Sequence, residues 1–92
     1  PDVSNQLFAS YAKVSDARGL ASVIGEEELS PTDKLYLDFG NHFEKEFLGQ
    51  GQNENRTISE SLDLGWRLLS ILPREELDRL DEKVLDEHYR AH

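Results

Sequence analysis

The chain contains no cysteine and no methionine among its 92 residues, has a single tryptophan, and carries 10 bases against 19 acids. Without cysteine there is no disulfide framework and no thiolate metal site, a composition compatible with the cytoplasm. A natural translation product starts with methionine, whereas this sequence starts at Pro1 and has none, so it is expected to be a fragment of a larger polypeptide. Basic charge is the scarcest resource, and the net charge of −9 disfavours nucleic acid and anionic membrane surfaces, both of which need a positive face. A basic protein partner fits better. No apolar run approaches the ~18 residues of a membrane span, and no basic cluster precedes an apolar run as in a signal peptide. Direct membrane insertion is therefore not expected.

Signatures of catalysis are missing as well. There is no HExxH, no GxxxxGK phosphate loop and no GxSxG elbow. His42 and Glu46 stand four apart, as do His88 and His92, and each pair would share a helix face. Two ligands fall short of the three or four of a zinc site, so these histidines read as solvated side chains, and no metal or catalytic residue is assigned. The acid pairs Glu75/Glu76, Asp81/Glu82 and Asp86/Glu87 read as a solvated face. "NRT" at Asn55 to Thr57 has the form of a glycosylation sequon, and helix capping explains it better.

What is present is helical periodicity. Val3, Leu7, Tyr11 and Val14 recur at steps of three and four, with Phe8 and Ala12 beside them, Asp2 as an N-cap, and continuation through Leu20, Val23 and Ile24 to Gly25 after a hitch near 15–19. Ser30 caps a second helix with Pro31 at its first position and Asp33 in its first turn. On it Leu35, Phe39, Phe43 and Phe47 form one stripe. After the polar loop "GQGQNEN", Thr57 and Glu60 make a capping box for a third helix, whose stripe is Ile58, Leu62, Trp66 and Leu69, widened by Leu64, Leu68, Ile71 and Leu72. Gly65 inside it points to close helix packing, and Trp66 joins the core. Pro73 ends this helix, and Leu77, Leu80, Val84, Leu85 and Tyr89 mark a short acidic helical pair with Asp81 as a cap between its halves. The fold class is all-α, a small helical bundle of four to five helices spanning residues 1–92 as one domain. The hydrophobic share of 37% and charged share of 32% suit a thin bundle or a module cut from a larger body.

The stretch "GEEELSPTDK", Gly25 to Lys34, sets three consecutive glutamates between the first two helices. Composition alone makes it a polar turn and a helix start.

Two long segments carry a resemblance. "PDVSNQLFASYAKVSDARGLASVIGEEELSPTDKLYL" and "ENRTISESLDLGWRLLSILPREELDRL" resemble the C-terminal region of the B subunits (beta chains) of archaeal and vacuolar-type rotary ATPases, over essentially the whole chain. The resemblance implies a peripheral, cytoplasmic hexameric head of alternating A and B subunits around a rotating central stalk. It couples ATP synthesis or hydrolysis to ion transport, including hydrogen ion transport. The A subunits are implied to be catalytic and the B subunits to be their non-catalytic, regulatory nucleotide-binding partners. ATP or ADP is implied to be held by the full-length beta chain and its neighbour, with no cofactor-binding residue in this stretch. A β-barrel and a nucleotide-binding domain would precede Pro1. Related beta-type subunits of ATP synthases carry D-E-L-S-E-E-D at the tip that meets the shaft. Glu27, Glu28, Leu29, Ser30 and Asp33 fall on matching positions, Pro31 and Thr32 replace the two middle acids, and Glu26 adds a charge nearby. The implied stalk-contact set is Glu26, Glu27, Glu28, Leu29, Ser30 and Asp33, with Leu29 making steric contact. The resemblance also leads to an aromatic near adenine after "EFLGQG", where this chain has Gln52. Two readings from other classes stand beside it: a stand-alone acidic helical adaptor for a basic protein, and a small hydrolase or metal enzyme, which the missing motifs oppose.

Overall fold

A computed structural model describes residues 2–49 and 57–90. Among them no strand occurs, and four α-helices follow one another: α1 (Asp2–Ile24), α2 (Pro31–His42), α3 (Ile58–Leu69) and α4 (Glu82–His88). A 3-10 turn (Glu26–Glu28) joins α1 to α2, a π-helical turn (Phe43–Leu48) extends α2, and a second 3-10 turn (Arg74–Glu76) precedes α4. The all-α expectation holds. The loop containing Gln52 and Asn55, and His92 with its pairing to His88, lie outside the described residues.

The capping chemistry places three helix starts. The Ser30 hydroxyl accepts from the Asp33 N–H at 3.1 Å, and Pro31 fills the first helical position. Thr57 and Glu60 close a reciprocal box at 3.0 and 2.9 Å. Asp81 accepts from the Val84 N–H at 3.2 Å. Asp2, in contrast, lies within the first turn of α1 instead of capping it, and α1 passes through 15–19 without a break.

α1 and α2 form an antiparallel hairpin. Phe8 meets Phe43 and, farther along α1, Val14 meets Gly40, so the pairing runs in opposite directions along the two helices. On α2 the buried residues are Tyr36, Phe39 and Gly40, followed by Phe43, while Leu35 reaches solvent. The reason is geometric. A strict four-residue step drifts around an α-helix of 3.6 residues per turn, and a three-four pattern through Tyr36, Phe39 and Phe43 stays on the core. Phe47 rejoins the stack because the wider π turn alters the winding beyond Phe43. The Phe39–Phe43 and Phe43–Phe47 rings lie nearly parallel, at centroid distances of 5.6 and 5.2 Å.

α3 buries Leu64, Gly65, Trp66, Leu68 and Leu69, with Leu72 just beyond. Ile58 and Leu62, assigned to its stripe from spacing, reach the surface, Ile58 with 82% of its area exposed. Gly65 does mark close packing, since a Cβ there would stand 3.0 Å from a Val3 methyl and 3.3 Å from one of Leu7. The C-terminal segment is tied down by polar contacts. Buried Gln6 accepts from the Arg79 N–H at 2.7 Å and donates to Ser10 at 2.8 Å. Tyr36 donates to Glu76 at 2.7 Å, and Tyr89 donates to the Leu72 carbonyl at 2.6 Å. Burial first, and the Glu76 bond second, push the Tyr36 hydroxyl well above the ordinary tyrosine range.

Candidate functional site

The α1–α2 turn is built from a sequence of local decisions. The Gly25 N–H closes the last turn of α1 on the Ala21 carbonyl at 2.8 Å. Its φ of 89° then reverses the chain in a conformation that a Cβ would strain. Glu26–Glu28 make a single 3-10 turn, closed by Glu28 N–H to the Gly25 carbonyl and Leu29 N–H to the Glu26 carbonyl, both 3.2 Å. Ser30, extended, then starts α2.

Of the six residues expected at this site, the structure presents three carboxylates together. Glu26, Glu27 and Glu28 are exposed, in an unbroken exposed run from 22 to 28. Leu29 is not part of that surface. It is 5% exposed, turned inward where the chain folds back toward α2, and buried apart from the main core. Unlike the three glutamates, the Leu29 side chain is held inside the turn and is not offered to a partner. The Ser30 hydroxyl is engaged in the cap, and Asp33 lies half-buried in the first turn of α2. Glu26 and Glu27 wall a shallow groove with Lys34, Leu37, Asp38 and Asn41.

Two aspects escaped the sequence reading. The first is the exposure of Leu20, Val23 and Ile24 on the last turns of α1, where the buried residues end at Ala17. The available signal was the spread of apolar residues over more than one side of α1. The second is the brace below the turn. Arg18 forks onto both Glu44 oxygens at 2.7 and 2.9 Å and also donates to Asn41 at 3.2 Å, while the Tyr11 hydroxyl donates to Glu44 at 2.5 Å. The Arg18 guanidinium first, and Tyr11 second, hold the Glu44 carboxyl at about 2. The same bond to Glu44 pushes the Tyr11 hydroxyl up. This lattice fixes the hairpin beneath the acids, so the turn sits on a stiff support.

The histidines have local partners. His42 Nδ1 lies 2.7 Å from Glu46 and Nε2 lies 3.5 Å from Asp38, while His88 stacks on Trp66 with centroids 5.1 Å apart. Among the described residues no group of three or more His, Asp and Glu side chains is arranged to hold a metal. Among them also no helix is long and apolar enough to cross a membrane. What the turn can do chemically is present clustered negative charge beside exposed aliphatic side chains.

Comparison with known proteins places this architecture. A family model for the C-terminal domain of V and A type ATP synthase matches residues 1–89. The V-type ATP synthase beta chain 2 of Clostridium tetani is 57% identical over 90 residues, which cover 98% of this chain and 20% of that protein. The V-type ATP synthase beta chain of Halothermothrix orenii is 56% identical over 91 residues, 99% of this chain and 20% of that protein. The B subunit of the A-type ATP synthase of Metallosphaera sedula is 54% identical over 91 residues, again 99% of this chain and 20% of that protein. The chain thus spans about a fifth of the length of these relatives. With a helical architecture and a family match that runs through nearly all of it, the chain belongs to the family of C-terminal domains of V- and A-type ATP synthases.

Proposed function

We propose that the chain is the C-terminal domain of a beta chain (B subunit), the non-catalytic and regulatory nucleotide-binding partner of the catalytic A subunits in the peripheral head of a V/A-type ATP synthase. In this reading the Glu26–Glu28 turn meets the central stalk and relays motion between nucleotide sites elsewhere in the head and ion transport. The observation that carries it is the projection of three consecutive exposed carboxylates from the end of a braced two-helix hairpin. α1 alone, with 23 residues, is ~34 Å long at 1.5 Å per residue. It ends at the turn, so the acids follow directly on its C-terminal end. A support of that stiffness transmits force from its tip.

Charge at the tip acts over about 8 Å at physiological salt. An exposed ion pair is worth only about 0–1 kcal/mol, so no single glutamate dominates. Membership of a family of C-terminal domains gives no support to the stand-alone adaptor. The test is a complex reconstituted from the full-length beta chain with Glu26, Glu27 and Glu28 replaced by alanine. Stalk binding or coupling should change, while nucleotide affinity stays near that of the wild type. Collapse of nucleotide affinity with unchanged stalk association would overturn the assignment.

A further inference from the structure

The tip is apolar as well as acidic. Leu20, Val23 and Ile24 stand three and four residues apart, so they share one face of α1. All three are exposed, Val23 at 80% and the others at 43% each. Single exposed aliphatic residues on a surface need no explanation. Here three lie on one helix face, seven residues or fewer beyond Ala17, the last buried residue of α1, and lead straight into Gly25 and the acids. The nearest base on α1, Arg18, is paired with Glu44, and the three acids of Glu26–Glu28 follow the aliphatic face directly, with Lys34 across the groove beside Glu26 and Glu27.

We propose that Leu20, Val23 and Ile24 are the gripping surface of the tip, and that its occupant is a helix with an apolar face flanked by Lys or Arg. The inference rests on the reading that this tip meets a stalk, and it names the chemistry of that contact. The aliphatic face docks on the apolar stripe of the partner helix, and Glu26–Glu28 face the flanking bases. The weights differ. Burying Val23, 80% exposed, strengthens association by about tenfold, and burying Leu20 or Ile24, 43% exposed, by about threefold to fivefold each, whereas an exposed ion pair gives at most about fivefold and fades with salt. The acids steer and orient, and the aliphatic face holds.

The experiment uses the assembled complex containing the full-length beta chain. A photo-crosslinking residue at position 23 identifies what lies against the face. Stalk affinity is then measured for the triple variant Leu20→Ser, Val23→Ser, Ile24→Ser and for Glu26→Gln, Glu27→Gln, Glu28→Gln, at about 0.1 and 0.5 M salt. The expected result is crosslinking to a stalk helix, a loss of about 100-fold or more in the serine triple, and a loss of only a few-fold in the glutamine triple. The wild-type contact should persist at the higher salt. Crosslinking to the stalk, with the serine triple near wild type and the glutamine triple inactive, would overturn the gripping role while leaving the stalk reading intact. Crosslinking only to other head subunits would overturn the stalk reading and this inference with it. If the serine triple fails to assemble, Val23→Ser alone supplies the measure. A loss of about tenfold supports the proposal, and an unchanged affinity overturns it.

Discussion

Gly40 on α2 lies against Val14 on α1 so closely that a Cβ on residue 40 would overlap a Val14 methyl. Val14 is fully buried and branched at Cβ, and so has little freedom to withdraw. Gly40→Ala would gain roughly 1 kcal/mol in helix propensity, but the added methyl enters a filled space, where overpacking costs about 1–3 kcal/mol. A net loss of about 1 kcal/mol is expected, a fall of about 4–8 °C in the thermal midpoint of a domain this size. Gly65→Ala should be milder, within about 1 kcal/mol of wild type. Its neighbours Val3 and Leu7 would be approached at 3.0 and 3.3 Å, and Val3 is only partly buried near the start of α1. Thermal unfolding followed by circular dichroism ranks the two. An unchanged midpoint for Gly40→Ala would mean that the hairpin separates there at no cost.

The brace below the tip makes stability depend on acid pH. Glu44 titrates at about 2 against an ordinary 4.5, because Arg18 and Tyr11 hold its charged form in the fold. A carboxyl whose folded value is lowered stabilises the protein above its unfolded value, and that contribution is lost as pH falls through the folded value. The window therefore runs from about 4.5 down to about 2. Across it the wild-type midpoint should fall more steeply than that of Glu44→Gln, and the two curves should converge at the acid end. Melts at steps of half a pH unit check this. Parallel curves would show that the Arg18–Glu44–Tyr11 cluster contributes nothing in solution.

Most of the helical order could be read in the residues, because caps and terminators act locally. Ser30 with Pro31, the Thr57–Glu60 box, Asp81 and Gly25 each announce a boundary within a few residues. Core faces were harder, because spacing identifies which residues share a side and cannot tell which side is covered. Leu35 and Ile58 have the periodicity of core positions and lie at the surface, while Tyr36, Gln6 and Ser10 are buried through partners 40, 73 and 4 residues away. The candidate site shows the same division. Its acids and its helix start were legible. The inward turn of Leu29 and the outward face of Leu20, Val23 and Ile24 depend on where the second helix returns, which no local pattern encodes.

Deleting the aromatic side chains of Phe43 and Trp66 should have different costs. The expectation for Trp66→Ala from spacing is about 3–5 kcal/mol, the range for core Phe or Trp truncation. In the structure Trp66 lies at the margin of the core, and its ring is covered by that of the exposed His88. Phe43 is fully buried, with the rings of Phe8, Tyr11, Phe39 and Phe47 within 4.9–5.6 Å. Phe43→Ala should cost about 4–5 kcal/mol and Trp66→Ala about 3 kcal/mol or less, since His88 and solvent can fill the space left by the indole. Urea unfolding of both variants gives the ranking directly, and an equal or larger loss for Trp66→Ala would place that residue at the heart of the core.

Ser30 tests whether a site residue acts through contact or through the helix it starts. Its hydroxyl accepts from the Asp33 N–H and thereby fixes where α2 begins and how the acidic turn is held. Ser30→Ala removes that acceptor and should cost about 1 kcal/mol. Ser30→Asp supplies another acceptor and, with the charge placed favourably at the helix N-terminus, should stay within a few tenths of a kcal/mol of wild type. If both variants lost the same stability, the cap would not be the role of the side chain. If Ser30→Asp kept full stability yet bound the stalk no better than Ser30→Ala, the hydroxyl itself would have to touch the partner. The proposed tip contact predicts the opposite: stalk binding recovers with the cap, because Ser30 acts by fixing the turn between the aliphatic face and α2.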